Sequence, residues 1–380
     1  MFLPIRAVGL FFCAMAAMAA SSAADATPCL LLVAHKKLSK LAELLSAPHN
    51  GVQFVAASAG DQTTELHPNL VVLHKGGYDS VIATHDADAA ARLALLRRLP
   101  PRVLLEPLEC AMRFADRREV CRALAELAPT VAQPRFVELD GTTGDVDGVL
   151  ARAGLGFPLM CKPAVACGPR GHRLSIVLRR AGLDDVLAAA TAPLIAQEYV
   201  DHGGVVIKGY TVGDLLHVAT RESLPDLGGG DDGMPAVVHI DSQTPLGTSL
   251  GGVGLVGRSA VAAARAPAAA AVASGGSAST AHAGAGAGAD AEAPADDGAR
   301  GRLRECEAAV HAVRIHMGVA LLGVDMVVAP DGRLLVVDVN HFSGAPRSVP
   351  GFGEALARAV VAHRASCDSV RDSCVAPADV

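Results

Sequence analysis

Two aspartates near the end of the chain are spaced so that they could bind a divalent metal ion. The segment Pro330–Arg333 contains the Asp-Gly dipeptide that is typical of a two-residue β-hairpin turn. If Asp-Gly forms the loop, Asp325 and Asp338 lie directly opposite each other, with their Cβ atoms about 4.5–5.5 Å apart. Asn340 lies two residues beyond Asp338 and therefore on the same face of the sheet.

The strand that carries Asp338 is otherwise apolar, because Leu335–Val337 precede it. Two facing carboxylates in such a strand repel each other and resist desolvation. A divalent cation removes both problems, and a donor set made only of oxygens suits Mg²⁺. The alternative is a one-residue shift of register, which places the two acids on opposite faces, in solvent. We favour the Mg²⁺ site.

Lysine is used sparingly in this chain, in which Lys and Arg together number 33. A lysine ammonium is a compact charge on a long stem and suits a phosphate oxygen. A lysine kept where arginine is the usual cation is therefore a candidate phosphate ligand, with codon bias and chance as the alternative. The lysines are Lys36, Lys37, Lys40, Lys75, Lys162 and Lys208.

Two further segments could contact a nucleotide. Lys162 ends an apolar strand, where its ammonium must meet an anion or reach solvent. The loop 166–172 that follows is rich in glycine and cations and suits covering a triphosphate, although Gly-rich loops are common. Ile195–Val200 is a strand that leads into a turn and could offer backbone groups to an adenine ring; the alternative is a plain core strand.

Several other classes of protein are excluded. Without a Gly-Lys dipeptide there is no P-loop, and without His-Arg-Asp or Asp-Phe-Gly the chain is not an ordinary protein kinase. A net charge of -6 argues against bulk nucleic-acid binding. The 9 cysteines show no C-x-x-C spacing and no His/Cys cluster, which favours buried reduced thiols over disulfides or a zinc site.

The elements that must position these residues form an α/β (α+β) pattern. Strands and helices alternate up to residue 107, which predicts a parallel layer, and antiparallel strands with Gly-rich turns follow. The predicted strands are Cys29–Ala34, Val52–Ala56, Leu70–His74, Val103–Leu105, Phe157–Lys162, Ser175–Leu178, Leu194–Tyr199, Val205–Val212, Leu216–Thr220, Leu321–Ala329 and Arg333–Asn340, and the predicted helices are Asp86–Leu99, Glu109–Leu127, Arg302–Met317 and Glu354–His363.

Composition divides the chain further. Residues 1–24 combine one Arg, an apolar run and small residues, which is typical of a signal or transit segment and too short for the roughly 20 apolar residues of a membrane span. Residues 250–300 are rich in Ala, Gly and Ser, which predicts a disordered insertion. We predict an N-terminal domain at 25–108, two further domains formed by 109–249 and 301–366, and a tail at 367–380. Because there is no heptad or interface stripe, we expect a monomer.

Four segments in order resemble the inositol-tetrakisphosphate 1-kinase family, also called inositol 1,3,4-trisphosphate 5/6-kinases. They are FPLMCKPAVACG, IAQEYVDHGGVVIKGYTVGD, ATRESLPDL and GVDMVVAPDGRLLVVDVNHFSG, with weaker echoes in AHKKL, VVLHKG, LEPL and ADRREV. The resemblance runs from about Leu30 to Phe352. It implies an ATP-grasp fold, in which an N-terminal parallel α/β domain precedes two antiparallel-sheet subdomains that enclose the nucleotide, and a cytoplasmic location.

The resemblance also implies roles for matching residues. ATP and two Mg²⁺ ions are the expected co-substrate and cofactor, and an inositol polyphosphate is the expected partner. The implied catalytic residues are Lys162 and His172; the ATP-binding residues are Arg117, Lys162, Gln197, Glu198, Val200 and Ser223; the substrate-binding residues are Lys37, Lys75, His172, Lys208, Arg221, Asn340 and Gly344; and the metal ligands are Asp325, Asp338 and Asn340.

The expected reaction is transfer of the ATP γ-phosphoryl group to inositol 1,3,4-trisphosphate at its 5- or 6-hydroxyl, or to inositol 3,4,5,6-tetrakisphosphate at its 1-hydroxyl. Ser343 departs from the family, which often has proline there, and so do Pro169–Gly171, where small polar residues are usual. Two alternatives remain: an ATP-grasp carboxylate–amine ligase, which needs fewer cations around its substrate, and a catalytically weak inositol phosphate sensor.

Overall fold

The computed structural model describes most of the chain between residues 27 and 374. The predictions for residues 1–24, Lys37, Gly344 and most of 250–300 lie outside the described residues. Within them, the structure contains no helix with the length and hydropathy needed to cross a bilayer. The described ranges are 27–34, 38, 41–56, 70–168, 170–227, 234–242, 244, 297–341 and 349–374.

The N-terminal layer is a three-stranded parallel sheet with strand order β2-β1-β3. Its strands are buried and apolar, as parallel strands covered by helices must be. Asp86 caps the third helix by accepting a hydrogen bond from the N–H of Ala89. The elements are β1 (Thr27–Leu32), α1 (Ala42–Ser46), β2 (Val52–Ala56), β3 (Val71–His74), α2 (Gly76–Ile82) and α3 (Ala87–Arg98).

The connection out of this layer differs from the prediction in two places. The predicted strand Val103–Leu105 is wrong: Pro100 and Pro101 lead into a 3₁₀ turn at Pro101–Val103, and Leu104 makes a single bridge to Val72. The predicted helix Glu109–Leu127 is two helices, α4 (Leu108–Arg113) and α5 (Arg117–Glu126). The chain is extended at Asp116, which caps α5 by accepting from the N–H of Arg118.

The middle layer is a five-stranded antiparallel sheet with strand order β10-β6-β5-β7-β4. Two helices cover it, and their buried side chains share one apolar core with the inner strands. The elements are β4 (Phe136–Leu139), α6 (Val146–Arg152), β5 (Leu159–Pro163), β6 (Arg173–Val177), α7 (Arg180–Ala189), β7 (Leu194–Glu198) and β10 (Val237–Asp241).

The third layer is a four-stranded antiparallel sheet with strand order β12-β11-β8-β9. Its elements are β8 (Val205–Val212), β9 (Leu215–Glu222), α8 (Asp297–Met317), β11 (Leu321–Val328), β12 (Leu334–His341) and α9 (Phe352–Cys374). Helix α8 begins within the segment predicted to be disordered, and α9 continues beyond residue 366 into the predicted tail. Gly209 allows α8 to approach, because a Cβ there would lie 2.3 Å from Val310 Cγ2.

Helix α9 connects the first and third layers. Its buried residues Ala355, Leu356 and Val360 belong to one apolar core with Phe54 of β2 and Tyr210 of β8. The free energy of burying this face therefore holds the N-terminal layer against the third sheet.

Candidate active site

The two aspartates of the final hairpin are paired as the sequence predicts. Asp325 of β11 lies directly opposite Asp338 of β12. The predicted two-residue turn is wrong, because the N–H of Gly332 bonds to the carbonyl of Ala329 and the loop contains three residues ending in Gly332, at a φ of +86°. The pairing survives because the strands shift register by one residue next to Asp325.

The residue that takes up this shift is Val337. Met326 pairs with Val336 and Asp325 with Asp338, so Val337 has no partner on β11 and forms a β-bulge. Its carbonyl accepts a hydrogen bond of 2.8 Å from Lys162 Nζ. Lys162 lies on β5 of the middle sheet, so this bond joins the hairpin to the middle layer across the cleft between the two sheets.

Lys162 is only 9% exposed. Burial lowers the pKa of its ammonium, because the charged form loses solvation, while the carboxylate of Asp338 opposes this shift. The ammonium of Lys162 donates to Val337 and is attracted by Asp338, and its remaining N–H groups could bind an anion in the cleft. The structure therefore brings Lys162 together with Asp338 and Asp325, as the sequence-based assignment requires.

Asp325 has a lysine partner on the neighbouring strand. Lys208 of β8 lies directly opposite it, and Lys208 Nζ donates to both carboxylate oxygens at 2.8 and 2.7 Å. Burial raises the pKa of Asp325, with Lys208 lowering it and Asp338 raising it. Lys208 was assigned to the substrate, whereas here it contacts the predicted metal ligand.

A magnesium ion fits these residues. Two carboxylates share one face with a single lysine bonded to Asp325, and Asn340 Nδ2 donates to Asp338 Oδ2 at 3.1 Å. In the described ranges there is no group of three or more His, Cys, Asp or Glu side chains arranged around one point. A site of two carboxylates and an amide oxygen is what Mg²⁺ uses when substrate phosphates and water complete its shell.

One face of the third sheet carries two of the cations assigned to the substrate. Arg221 of β9 lies opposite Val206, and Lys208 lies opposite Ala219, so register places both side chains on the same face as Asp325. An apolar cluster lies on the same sheet and reaches the segment Gln197–Val200 at the end of β7, which we call the hinge. Its members are Val206, Val327, Ala329 and Leu335, with Ala132, Val200 and Val337 at its margin.

Arg117 holds the loop that follows Lys162. It is 8% exposed, and its guanidinium donates to the carbonyls of Pro163 at 2.7 Å and Gly171 at 3.0 Å. The backbone N–H of Arg117 bonds to the carbonyl of Ala164, at 2.8 Å. Its Nε is buried without a hydrogen-bond partner. The residue assigned to ATP therefore contacts the loop, which it fixes at both ends.

This loop also contacts the N-terminal layer. The Sγ of Cys167 lies 3.9 Å from the carbonyl of Gly77, and a Cβ on Gly168 would meet Val81 and Ile82 of α2. Lys75 immediately precedes α2 and lowers the pKa of Cys167 by its charge, although burial dominates and raises that pKa to about 11. Lys75 therefore lies near the loop, on the side of the N-terminal layer.

His172 ends the loop, where its carbonyl accepts from the N–H of Ser242, 3.0 Å away. That bond joins the loop to the chain that follows β10, on the outer edge of the middle sheet. The loop therefore lies between the chain that follows β10 and helix α2 of the N-terminal layer.

The hinge residues lie at the end of β7, which is an inner strand between β5 and β4. Gln197 is buried in the sheet, and Glu198 forms an ion pair of 2.7 Å with Arg135. The carbonyl of Val200 accepts from His202 Nδ1 at 2.7 Å, and His202 Nε2 bonds to Ser223 Oγ at 2.9 Å. His202 thus links two of the residues assigned to ATP, Val200 and Ser223.

The comparisons with known proteins agree with this architecture. Residues 126–240 match the family described as the inositol 1,3,4-trisphosphate 5/6-kinase ATP-grasp domain. The chain is 34% identical over 184 residues to inositol-tetrakisphosphate 1-kinase 4 of Oryza sativa subsp. indica, covering 48% of this chain and 49% of that protein. It is 31% identical over 195 residues to inositol-tetrakisphosphate 1-kinase 1 of Zea mays, covering 49% and 53%.

The chain therefore spans about half the length of the curated relatives it matches. Among solved structures it is similar to D-alanine–D-alanine ligase from Bacillus anthracis complexed with ATP, with a TM-score of 0.51 and 15% identity, over 92% of this chain and 99% of that one. At that identity the likeness concerns the fold alone. Together with the family match, it confirms the predicted ATP-grasp fold.

Proposed function

From the match of residues 126–240 to the ATP-grasp domain of the inositol 1,3,4-trisphosphate 5/6-kinases, we propose that this chain transfers the γ-phosphoryl group of ATP to a hydroxyl of a soluble inositol polyphosphate. The observation that carries the proposal is the meeting of Lys162 with the Asp325–Asp338 pair across the cleft between the middle and third sheets. In enzymes of phosphoryl transfer a lysine commonly contacts the phosphates and carboxylates hold the Mg²⁺.

The nucleotide would lie in this cleft. The apolar cluster around Val206 and Leu335 offers a surface for the adenine ring beside Val200. Lys162 would contact the phosphates, and the loop fixed by Arg117 would cover them. In this arrangement the hinge is held in place by Gln197, Glu198 and Ser223. Arg117 acts through the loop that it holds.

The acceptor would approach from the N-terminal side. Its phosphates carry several negative charges, which need cations on more than one element. The charge of Lys75 acts on Cys167 of the loop, and Lys208 and Arg221 share one face of the third sheet. His172, Asn340, Lys37 and Gly344 complete the proposed set, the last two lying outside the described residues.

The transfer itself is an in-line displacement. The acceptor hydroxyl oxygen forms a bond to the γ-phosphorus while the bond from that phosphorus to the β,γ-bridging oxygen breaks. ADP leaves with the electron pair, and the hydroxyl proton passes to solvent. Asp325, Asp338 and Asn340 would hold Mg²⁺, which neutralises charge on the β- and γ-phosphates. Lys162 and His172 orient the transferred group, so alignment and electrostatics lower the barrier.

The experiment uses the chain with Mg-ATP and either inositol 1,3,4-trisphosphate or inositol 3,4,5,6-tetrakisphosphate. Products are separated by anion-exchange chromatography. We expect one new peak with one more phosphate, lost in Asp338→Asn and kept in Asp331→Asn, which changes an exposed carboxylate in the turn of the same hairpin. ADP formed only with a carboxylic acid and an amine would establish a ligase instead, and tight binding without ADP would establish a sensor.

A further inference from the structure

Glu106 is a buried acid outside the site described above. It is 2% exposed and follows the single bridge that Leu104 makes to β3. Its Oε1 accepts from the backbone N–H groups of Ala320 at 2.8 Å and Leu321 at 2.6 Å. Its Oε2 contacts His341 Nε2. Glu106 lies in the segment LEPL, a weak echo of the family in the sequence, which by itself predicted no role for this residue.

The same residue is bonded to the end of β3. His74 Nδ1 accepts from the N–H of Gly76 at 3.1 Å, so His74 Nε2 carries the proton and donates to the carbonyl of Glu106 at 2.9 Å. Burial lowers the pKa of His74, which keeps its ring neutral. His74 immediately precedes Lys75, so the cluster also fixes the start of the segment that carries this lysine.

The carboxylate of Glu106 is held in its ionised form. Burial opposes ionisation, but His341 and the N–H of Leu321 outweigh it and lower the pKa of Glu106. A buried charged group costs free energy that an apolar side chain of similar size does not. Stability alone therefore does not explain an acid here, whereas the directional bonds of a carboxylate fix the elements that it joins.

Those elements are the two strands of the proposed metal hairpin. Leu321 begins β11, four residues before Asp325, and His341 ends β12, next to Asn340. One carboxylate therefore binds both strands at the open end of the hairpin, opposite the turn. The backbone carbonyl of Glu106 bonds to His74, which links the same residue to the N-terminal layer.

We propose that Glu106, with His74 and His341, is a positioning residue that sets the metal hairpin relative to Lys75 and the acceptor side of the cleft. The inference rests on the proposed function for its kinetic consequence, and on the contacts of Glu106 for its geometry. Glu106 contacts neither substrate nor metal ligand, so it acts through the strands it holds.

Three substitutions separate positioning from stability. Glu106→Ala removes every side-chain bond. Glu106→Gln keeps an oxygen for the two N–H groups and a polar contact to His341, so it should retain the kinetics of the wild type. Glu106→Asp keeps the charge but is too short to reach β11 and His341 together. It replaces Glu106→Ala as the test variant if Glu106→Ala does not fold. Leu96→Ala is the control, because it removes a fully buried apolar side chain from the N-terminal layer and no hydrogen bond of Glu106, His74 or His341.

The kinetic readout is the KM for the inositol phosphate at saturating Mg-ATP, measured well below the Tm of each variant. We expect Glu106→Ala and Glu106→Asp to raise this KM by about tenfold or more and to leave the KM for ATP within about twofold, since outer residues that orient a site typically contribute 10–100-fold. Glu106→Gln should lie close to the wild type. An acceptor KM that stays unchanged while Tm falls as in Leu96→Ala overturns the proposal.

A second readout needs no turnover. Electron paramagnetic resonance follows Mn²⁺ binding in the presence of the β,γ-methylene analogue of ATP. We expect the Mn²⁺ Kd to rise about tenfold in Glu106→Ala and to stay unchanged in Leu96→Ala. A wild-type chain that binds Mn²⁺ but phosphorylates no inositol phosphate refutes the proposed function only. In that case equal Mn²⁺ affinity in Glu106→Ala and Leu96→Ala overturns the positioning role.

Discussion

Lys162 donates a hydrogen bond of 2.8 Å to the carbonyl of Val337, the residue that bulges from the hairpin next to Asp338. A regular ladder would use that carbonyl within the sheet, so the bulge frees an acceptor that points across the cleft. The same irregularity keeps Asp325 opposite Asp338 despite the longer turn. The bulge at Val337 therefore fixes both the pairing of the two aspartates and the bond that Lys162 makes to the hairpin.

Replacing Lys162 tests whether its charge serves the reaction. We expect Lys162→Met to reduce kcat by about 10²–10³, as loss of one preorganised charge typically does. Stability should fall only modestly, because loss of the desolvation penalty offsets the lost bond to Val337 and the lost attraction to Asp338. The measurements are kcat by ADP release and Tm by calorimetry.

The control for Lys162 is Thr211→Val, which removes another buried side-chain bond, to the carbonyl of Ala320, at 3.2 Å. It should cost stability and leave kcat within a few-fold. A Lys162→Met enzyme that loses Tm and keeps its kcat would make Lys162 a structural residue.

Arg117→Met tests the loop that covers the cleft. The variant loses two bonds from a charged donor, and each such bond contributes about 1.5–3 kcal/mol. We expect the unfolding free energy to fall by about 3 kcal/mol and the KM for ATP to rise. Because Arg170 is an exposed residue of this loop, trypsin should cut after it faster than in the wild type.

Arg118→Met is the matched control for Arg117. Its guanidinium bonds to Asp116, at 2.6 Å, and is partly exposed. Exposed pairs of this kind contribute little, on the order of 0–1 kcal/mol. Cleavage after Arg170 that is equally slow in Arg117→Met and Arg118→Met would contradict the proposed function of Arg117.

Features of this structure that depend on local sequence patterns were predicted, whereas features that depend on tertiary contacts were not. Val52–Ala56 and Val205–Val212 begin and end as predicted; Gly51 precedes the first, and Gly204 and Gly213 bound the second. The Asp325–Asp338 pairing was predicted through a turn that is not the one formed. The break at Asp116 and the bulge at Val337 depend on capping and on tertiary contacts, which hydrophobic periodicity does not report.

The polar contacts are the part that sequence reasoning missed. Lys208 was assigned to the substrate from its rarity and family position, but its contact with Asp325 depends on the pairing of β8 with β11. The contact of Glu106 with His341 joins residues far apart in the chain. Such partners become visible only when the layers are assembled, since no local pattern encodes them.

Lys208→Met tests whether this lysine competes with the metal for Asp325. The variant leaves a buried carboxylate without its ammonium, which is destabilising. Binding of Mg²⁺ with the β,γ-methylene analogue of ATP should restore stability by mass action. We expect a larger rise in Tm on adding both ligands to Lys208→Met than to the wild type. Arg221→Met, on the same face of β9, should show the wild-type rise; equal rises in both variants would contradict the competition.

The hinge should be sensitive to mild acid through His202. Burial lowers the pKa of this ring, so the folded chain resists its protonation, while the unfolded chain takes up a proton near the ordinary histidine pKa of 6.5. Stability from this group is therefore complete above pH 6.5 and is lost as the pH falls from 6.5 through the lowered folded-state pKa. We expect His202→Gln to lose less Tm than the wild type between pH 7.5 and 5.5, although it is less stable at pH 7.5, where the bonds to Val200 and Ser223 are weakened.

His217→Gln is the control, since that ring is half-buried and its pKa is also lowered by burial, but it lies outside the hinge. If the KM for ATP rises at pH 5.5 in the wild type and in His217→Gln but not in His202→Gln, protonation of His202 opens the hinge; the same rise in all three would assign the effect to another group.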